Sequence, residues 1–181
     1  MPSALATLRP PDALVVRYGE IALKGGMRSV FEQRLIENVQ AAMHDFNGVR
    51  IERLRGRILV RSTAPAASAA AVLARVFGTT SVSPAYAVEA EEGVIRARAR
   101  ELLQALREQA FAGRARLLFA VRVNRADRHF PLTSEELARR IGADLRADDP
   151  ALKVDLDAPE LRLEVDIRDT CALLFVERIP G

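Results

Sequence analysis

Hydrophobic and polar positions change period repeatedly along the chain, and each change marks an element. Residues 13–18 (ALVVRY) are a short apolar run that reads as a buried strand. The loop GEIALKGG follows it. Phe31, Leu35, Val39, Ala42, Met43 and Phe46 then recur at helical spacing, an amphipathic pattern that Gly48 ends. Val49 and Ile51, set against Ile58 and Val60, predict a hairpin turning at Arg55-Gly56. After Pro65 the small-residue run AASAAAVLARVFG predicts a helix with Gly78 as its C-cap. Residues 82–88 complete this half as a strand, and Pro84 argues for an edge or interrupted position. The order β-α-β-β-α-β matches the ferredoxin-like split arrangement.

The second half opens with a helix over residues 94–112, in which Ile95, Ala99, Leu102, Leu103 and Leu106 point inward. Arg96, Arg100 and Arg107 lie away from that stripe. Leu117, Phe119, Val121 and Val123 then alternate along a strand, with Arg122 and Asn124 on its other face. Thr133 followed by Glu136 predicts a capping box, and Leu137, Ile141 and Leu145 form the ridge of the helix it starts. A short strand at 152–156, a turn at 157–160 and two further strands follow. Leu161, Leu163, Val165 and Ile167 alternate with Arg162, Glu164, Asp166 and Arg168, as in a half-exposed antiparallel strand. The run from Cys171 to Val176 is uniformly apolar and reads as a central strand, with Cys171 in the core. Ile179-Pro180-Gly181 reads as the start of a linker. The expectation is an α+β chain, a ferredoxin-like domain over residues 1–87 and an α/β domain over 88–181.

Composition narrows the class. The 181 residues are long enough for a sizeable core, and no apolar run approaches the roughly eighteen residues of a membrane span. The first eleven residues lack the apolar region of a signal peptide, so a cytoplasmic location is expected. One cysteine excludes an intrachain disulfide, and two distant histidines with it make no usual zinc site. Asp155, Asp157 and Asp166 fit no calcium loop.

Charge is segregated along the chain. Residues 1–87 carry 11 basic and 6 acidic groups, whereas residues 88–181 carry 16 and 18. Within the second part, Arg96 to Arg128 holds nine arginines and three acids, and Asp144 to Asp169 holds nine acids and four bases. Arginine makes up 25 of the 27 cations, a preference that either phosphate recognition or genomic base composition produces.

Two places carry candidate chemistry. The strand ending at Arg125, with Arg128 and His129 just beyond, delivers several cations to one spot beside a capped helix, a place for a polyanion. No Ser, Cys or Asp pattern frames His129 as a base or partner of a nucleophile. The loop Gly19 to Arg28, with Lys24-Gly25-Gly26 before a helix, is either an anion cradle of backbone N–H groups or a plain glycine turn.

Three stretches together resemble one family. RYGEIALKGGMRSVFEQRL (Arg17 to Leu35) resembles the N-terminal signature of tRNA 4-thiouridine sulfurtransferases of the ThiI type. VRVNRADRHFPLTSEELARRIGADL (Val121 to Leu145) is similar to the centre of their THUMP domain, and LKVDLDAPELRLEVDI (Leu152 to Ile167) to its closing strands. The resemblance implies an N-terminal ferredoxin-like domain (βαββαβ) followed by an α/β THUMP domain. It further implies a tRNA-binding module that grips the acceptor stem and 3′ end and has no catalytic residues of its own. An ATP-pyrophosphatase domain, in cis or in trans, would use ATP and a sulfur donor to modify uridine 8, in a family also tied to thiamine biosynthesis. Under this resemblance the RNA-binding candidates are Lys24, Arg28, Arg122, Asn124, Arg125, Arg128, His129 and Arg139; cofactor and metal sites are expected to be absent. Met27 stands where the signature usually has Asn, and Asn124 where Lys is common.

Other classes compete with this reading. Arg122 with Asn124 also suits phosphate binding in a small ferredoxin-like phosphohydrolase of the acylphosphatase type. A THUMP module serving another tRNA-modifying enzyme is equally compatible with the central motif. Arginine-rich and acidic faces could instead join two copies as a homodimer.

Overall fold

The computed structural model describes residues 10–19 and 27–181, which form two compact units. One comprises Pro10–Tyr86 with Glu177–Gly181, the other Ala87–Val176.

In the first unit β1 (Ala13–Tyr18) leads to α1 (Met27–Ala42), then to the hairpin β2 (Arg50–Leu54) and β3 (Arg57–Arg61), α2 (Ala66–Ala74) and β4 (Thr79–Val88). The sheet runs β2-β3-β1-β4 with every neighbour antiparallel, which is the ferredoxin-like topology. The helices cover one face of it. Leu35, Val39 and Met43 of α1 and Ala69, Ala70 and Leu73 of α2 pack on Leu14, Val16, Ile58, Val60 and Val82. Phe31, Ala42 and Phe46 are partly buried against the same cluster, so the predicted stripe is the packed one. The hairpin turns at Gly56, whose φ of 76° lies in the left-handed region that glycine enters without strain.

Three expectations are corrected here. Arg75, not Gly78, is the C-cap of α2. Gly78, at φ 98°, instead turns the chain into β4 where a Cβ would meet the Phe31 ring at 3.1 Å. β4 is not an edge strand, because β1 pairs with it on one side and a further strand, β9 (Ile179–Pro180), on the other. The presumed linker is therefore part of this sheet: Ile179 pairs with Val82, and the Gly181 N–H donates to the Thr80 carbonyl at 3.1 Å.

The second unit contains α3 (Glu92–Ala110), β5 (Leu117–Arg125), α4 (Ser134–Asp148), β6 (Leu152–Val154), β7 (Leu161–Ile167) and β8 (Ala172–Phe175). Its strands run β8-β7-β5-β6, with β5 parallel to both β6 and β7, and β7 antiparallel to β8. Here too β7 differs from expectation. It is flanked by a strand on each side, and its Asp166 is buried and accepts from the buried Arg168, just past the strand's end, at 2.6 Å. A carboxylate and guanidinium at adjacent same-face positions satisfy one another, which lets an alternating strand occupy the sheet interior. Cys171 lies just before β8 and is only half-buried. Leu106 is likewise half-buried, and Ala105 takes the inward position on α3.

Among the described residues no helix is long and apolar enough to cross a membrane. None of their His, Cys, Asp and Glu side chains group in a way that could hold a metal ion.

Candidate nucleic-acid interface

The second unit presents its cations through β5 and the loop that follows. Strand parity puts Leu117, Phe119, Val121, Val123 and Arg125 on one face, opposite Leu161, Leu163, Val165 and Ile167. Arg122 and Asn124 lie on the other face, beside Glu164 and Asp166. The predicted cluster is thus divided. Arg122 and Arg125 are three residues apart, so the pleat sends them to opposite sides.

Arg125 turns back into its own loop. Its Nη1 donates to the carbonyls of Phe130 and Leu132 at 3.0 and 2.9 Å. Both of those residues are buried, and the chain then enters α4 through Thr133. The capping box is present in full: the Thr133 hydroxyl accepts from the Glu136 N–H, and Glu136 accepts from the Thr133 N–H. Asp127 pins the other side of the loop by accepting the His129 N–H at 2.8 Å. That bond, followed by the nearby imidazole, holds the Asp127 carboxyl below the usual range. Arg125 is therefore a frame residue, and what the frame presents is Arg128 and His129. The His129 side chain is 98% exposed with Nδ1 3.1 Å from Asp127, a hydrogen-bonding role without packing.

Arg122 and Arg128 are exposed and form no side-chain hydrogen bond or ion pair with another described residue. Asn124 donates to the Asp166 carboxylate at 3.2 Å, and Arg139 pairs with Glu135 one turn earlier on α4. A carboxylate held against the Asn124 amide repels an oxyanion, which weighs against a phosphohydrolase built on Arg122 and Asn124.

The arginines of α3 have a different fate. Glu92 pairs with Arg140, Arg96 with Asp144 and Arg100 with Asp148, each pair separated by 48 positions. A constant offset at four-residue steps means that α3 and α4 run parallel and meet along a ladder of ion pairs. Arg107 adds a contact to Asp149 at 2.8 Å. Much of the basic stretch beginning at Arg96 is thus neutralised by the acidic stretch beginning at Asp144, within one chain.

In the first unit, Lys24 lies outside the described residues. Arg28, one residue into α1, has its Nε 2.9 Å from Oε1 of Glu32. Glu32 is only 2% exposed and also accepts the Tyr18 hydroxyl at 2.5 Å. A third donor is Arg53 of β2, whose Nη2 contacts the other carboxylate oxygen. Burial alone would raise the Glu32 pKa, but these donors outweigh it and hold the carboxyl below its ordinary value. The Tyr18 hydroxyl moves up, through burial first and the adjacent carboxylate second. Sequence reasoning missed Tyr18, Glu32 and Arg53. One signal was available: Glu32 falls in register with Leu35, Val39 and Met43, so a charge interrupts the apolar stripe of α1.

The βαββαβ unit, the following α/β unit with its parallel strand pairs, and the exposed cations at a capped helix together define a ferredoxin-like and THUMP tandem. Residues 13–83 match the ThiI ferredoxin-like domain and residues 95–177 the THUMP domain. The chain thus carries a ThiI-type ferredoxin-like domain followed by a THUMP domain. It is 36% identical over 171 residues to a probable tRNA sulfurtransferase of Natranaerobius thermophilus, covering 93% of this chain and 41% of the relative. The corresponding protein of Caldanaerobacter subterraneus is 34% identical over 170 residues, covering 94% of this chain and 42% of its own. The chain thus spans about two-fifths of the length of these relatives. Among solved structures, a Pyrococcus horikoshii protein superposes with a TM-score of 0.81 at 32% identity, over 94% of this chain and 55% of that one. A 4-thiouridine synthetase solved with RNA and ATP gives 0.75 at 25% identity, over 93% and 42%.

Proposed function

We propose that this chain is the tRNA-docking module of a 4-thiouridine synthesis enzyme and holds the acceptor stem and 3′ end while another domain performs the chemistry. One observation carries the reading. Arg122 and Arg128 stay exposed and without an ion pair among the described residues, while neighbouring α3 arginines are matched with carboxylates. Exposed guanidinium groups on a paired strand and a braced loop suit phosphate contacts. Duplex RNA hides its base edges in a deep groove, so a stem is gripped by backbone and shape, and an unpaired 3′ end by arginine planes and hydrogen bonds. The matches to the ThiI ferredoxin-like and THUMP domains, and likeness to a 4-thiouridine synthetase solved with RNA, support the choice of tRNA. On this reading uridine 8 is the target, and an ATP-pyrophosphatase domain in cis or in trans uses ATP and a sulfur donor. The cytoplasm is the compartment in which this substrate is met.

The test is binding of labelled tRNA over a salt series. The parent's affinity falls steeply with salt, and Arg122→Ala and Arg128→Ala each lower the log–log slope by about 1. Variants that bind like the parent at every salt concentration overturn this site.

A further inference from the structure

The Glu32 carboxylate holds more positive charge than it needs. A single guanidinium would neutralise it, and the Tyr18 hydroxyl already satisfies one oxygen at 2.5 Å. Two arginines nevertheless converge there, Arg28 from the first turn of α1 and Arg53 from a strand of the hairpin. The carboxylate is buried, but the arginine side chains are 42% and 49% exposed, so both are reachable from solvent. Ordering two long cationic side chains side by side costs rotamer entropy and mutual repulsion. The buried carboxylate offsets both, and it fixes the groups at one separation before any ligand arrives. The cluster carries a net positive charge, and the partial charge at the start of α1 adds to it.

We propose that Glu32 positions Arg28 and Arg53 as a two-pronged clamp for a phosphodiester group of the tRNA backbone. The clamp rests on the docking reading above and adds to it a second contact, in the ferredoxin-like unit. Arginine suits this arrangement because one edge of its planar fork can bind Glu32 while another meets a phosphate oxygen. Glu32 and Tyr18 are positioning residues that touch no RNA.

Glu32→Gln separates positioning from simple charge, because it makes the chain more positive. If net charge alone governs binding, tRNA binds this variant more tightly; the clamp requires weaker binding, by several-fold. Arg53→Ala lowers the salt slope by about 1. Arg53→Lys keeps the charge, lies on an exposed position, and weakens binding several-fold because an ammonium cannot bridge carboxylate and phosphate as a fork does. It carries the test alone if Glu32→Gln fails to give the parent's circular dichroism and melting curve. Parent-like binding by Arg53→Lys, or unchanged or tighter binding by a folded Glu32→Gln, overturns the clamp while leaving the docking reading intact. A parent chain that does not bind tRNA overturns both.

Discussion

Arg125 and Glu32 show how much a charged residue's meaning depends on where its side chain is sent. Arg125 sits in a basic run and reads as a ligand contact, yet its guanidinium spans two backbone carbonyls of its own loop. Arg125→Ala leaves those carbonyls, on buried residues, without a donor and lowers unfolding stability by about 1–3 kcal/mol in urea titration. An unchanged midpoint shows that the loop is held by other means. Glu32 makes the opposite case, a charge on a stripe that must be buried. Its folded-state pKa lies below the ordinary 4.5, so it stabilises the fold fully above that value. The contribution disappears as pH falls through the lower folded value. Unfolding measured from neutral pH down to about 3 therefore shows a steeper acid loss for the parent than for Glu32→Gln. Equal pH dependence of the two contradicts the assignment. The signal for Glu32 was legible as a break in periodicity; its partner Arg53 was not, because a contact between hairpin and helix has no imprint in either segment.

Helix α4 was legible almost whole, since the Thr133–Glu136 box and the Leu137, Ile141, Leu145 ridge are local features. The pairing of α3 with α4 was not, although its parts were present as Glu92, Arg96 and Arg100 on one helix and Arg140, Asp144 and Asp148 on the other. Recognising the ladder requires knowing that the helices lie parallel, which the strand between them determines. Its consequence for binding is specific: Arg100→Ala leaves the salt slope of tRNA binding unchanged, in contrast to Arg122→Ala, because Arg100 and Asp148 neutralise each other one to one. A slope reduced by about 1 in Arg100→Ala shows instead that RNA competes for the ladder. The ladder also has a stability signature. Asp144 is held below its ordinary 3.8, first by the Arg96 hydrogen bonds, so the contact is intact above that value and is lost as pH drops further. Arg96→Ala costs about 1 kcal/mol at neutral pH and less in molar salt, as measured by chemical unfolding.

For the molecule as a whole, the order of the chain is not the order of the units. Residues 177–181 follow the last strand of the second unit but complete the sheet of the first, where Ile179 pairs with Val82 and Gly181 with Thr80. A two-residue strand is shorter than any periodicity can register, and a Pro-Gly end resembles a linker on composition alone. Over Ser81 and Val82 the pairing gives β4 a second neighbour, so its backbone there is not left as an open edge. Deleting residues 177–181 removes the bonds that Ile179–Gly181 make to Thr80–Val82. Hydrogen exchange at the amides of Thr79–Val82 then accelerates several-fold, because local opening no longer has to break these contacts. Amides in α4, which pack within the other unit, keep the parent's rates. The same deletion lowers the stability of the first unit by about 1–3 kcal/mol, from the lost backbone pairing and the exposure of apolar surface that Ile179 covered. If protection in β4 is untouched by the deletion, the terminal strand is not paired in solution. The first unit would then be complete at Tyr86, and the return of the chain would have no structural role.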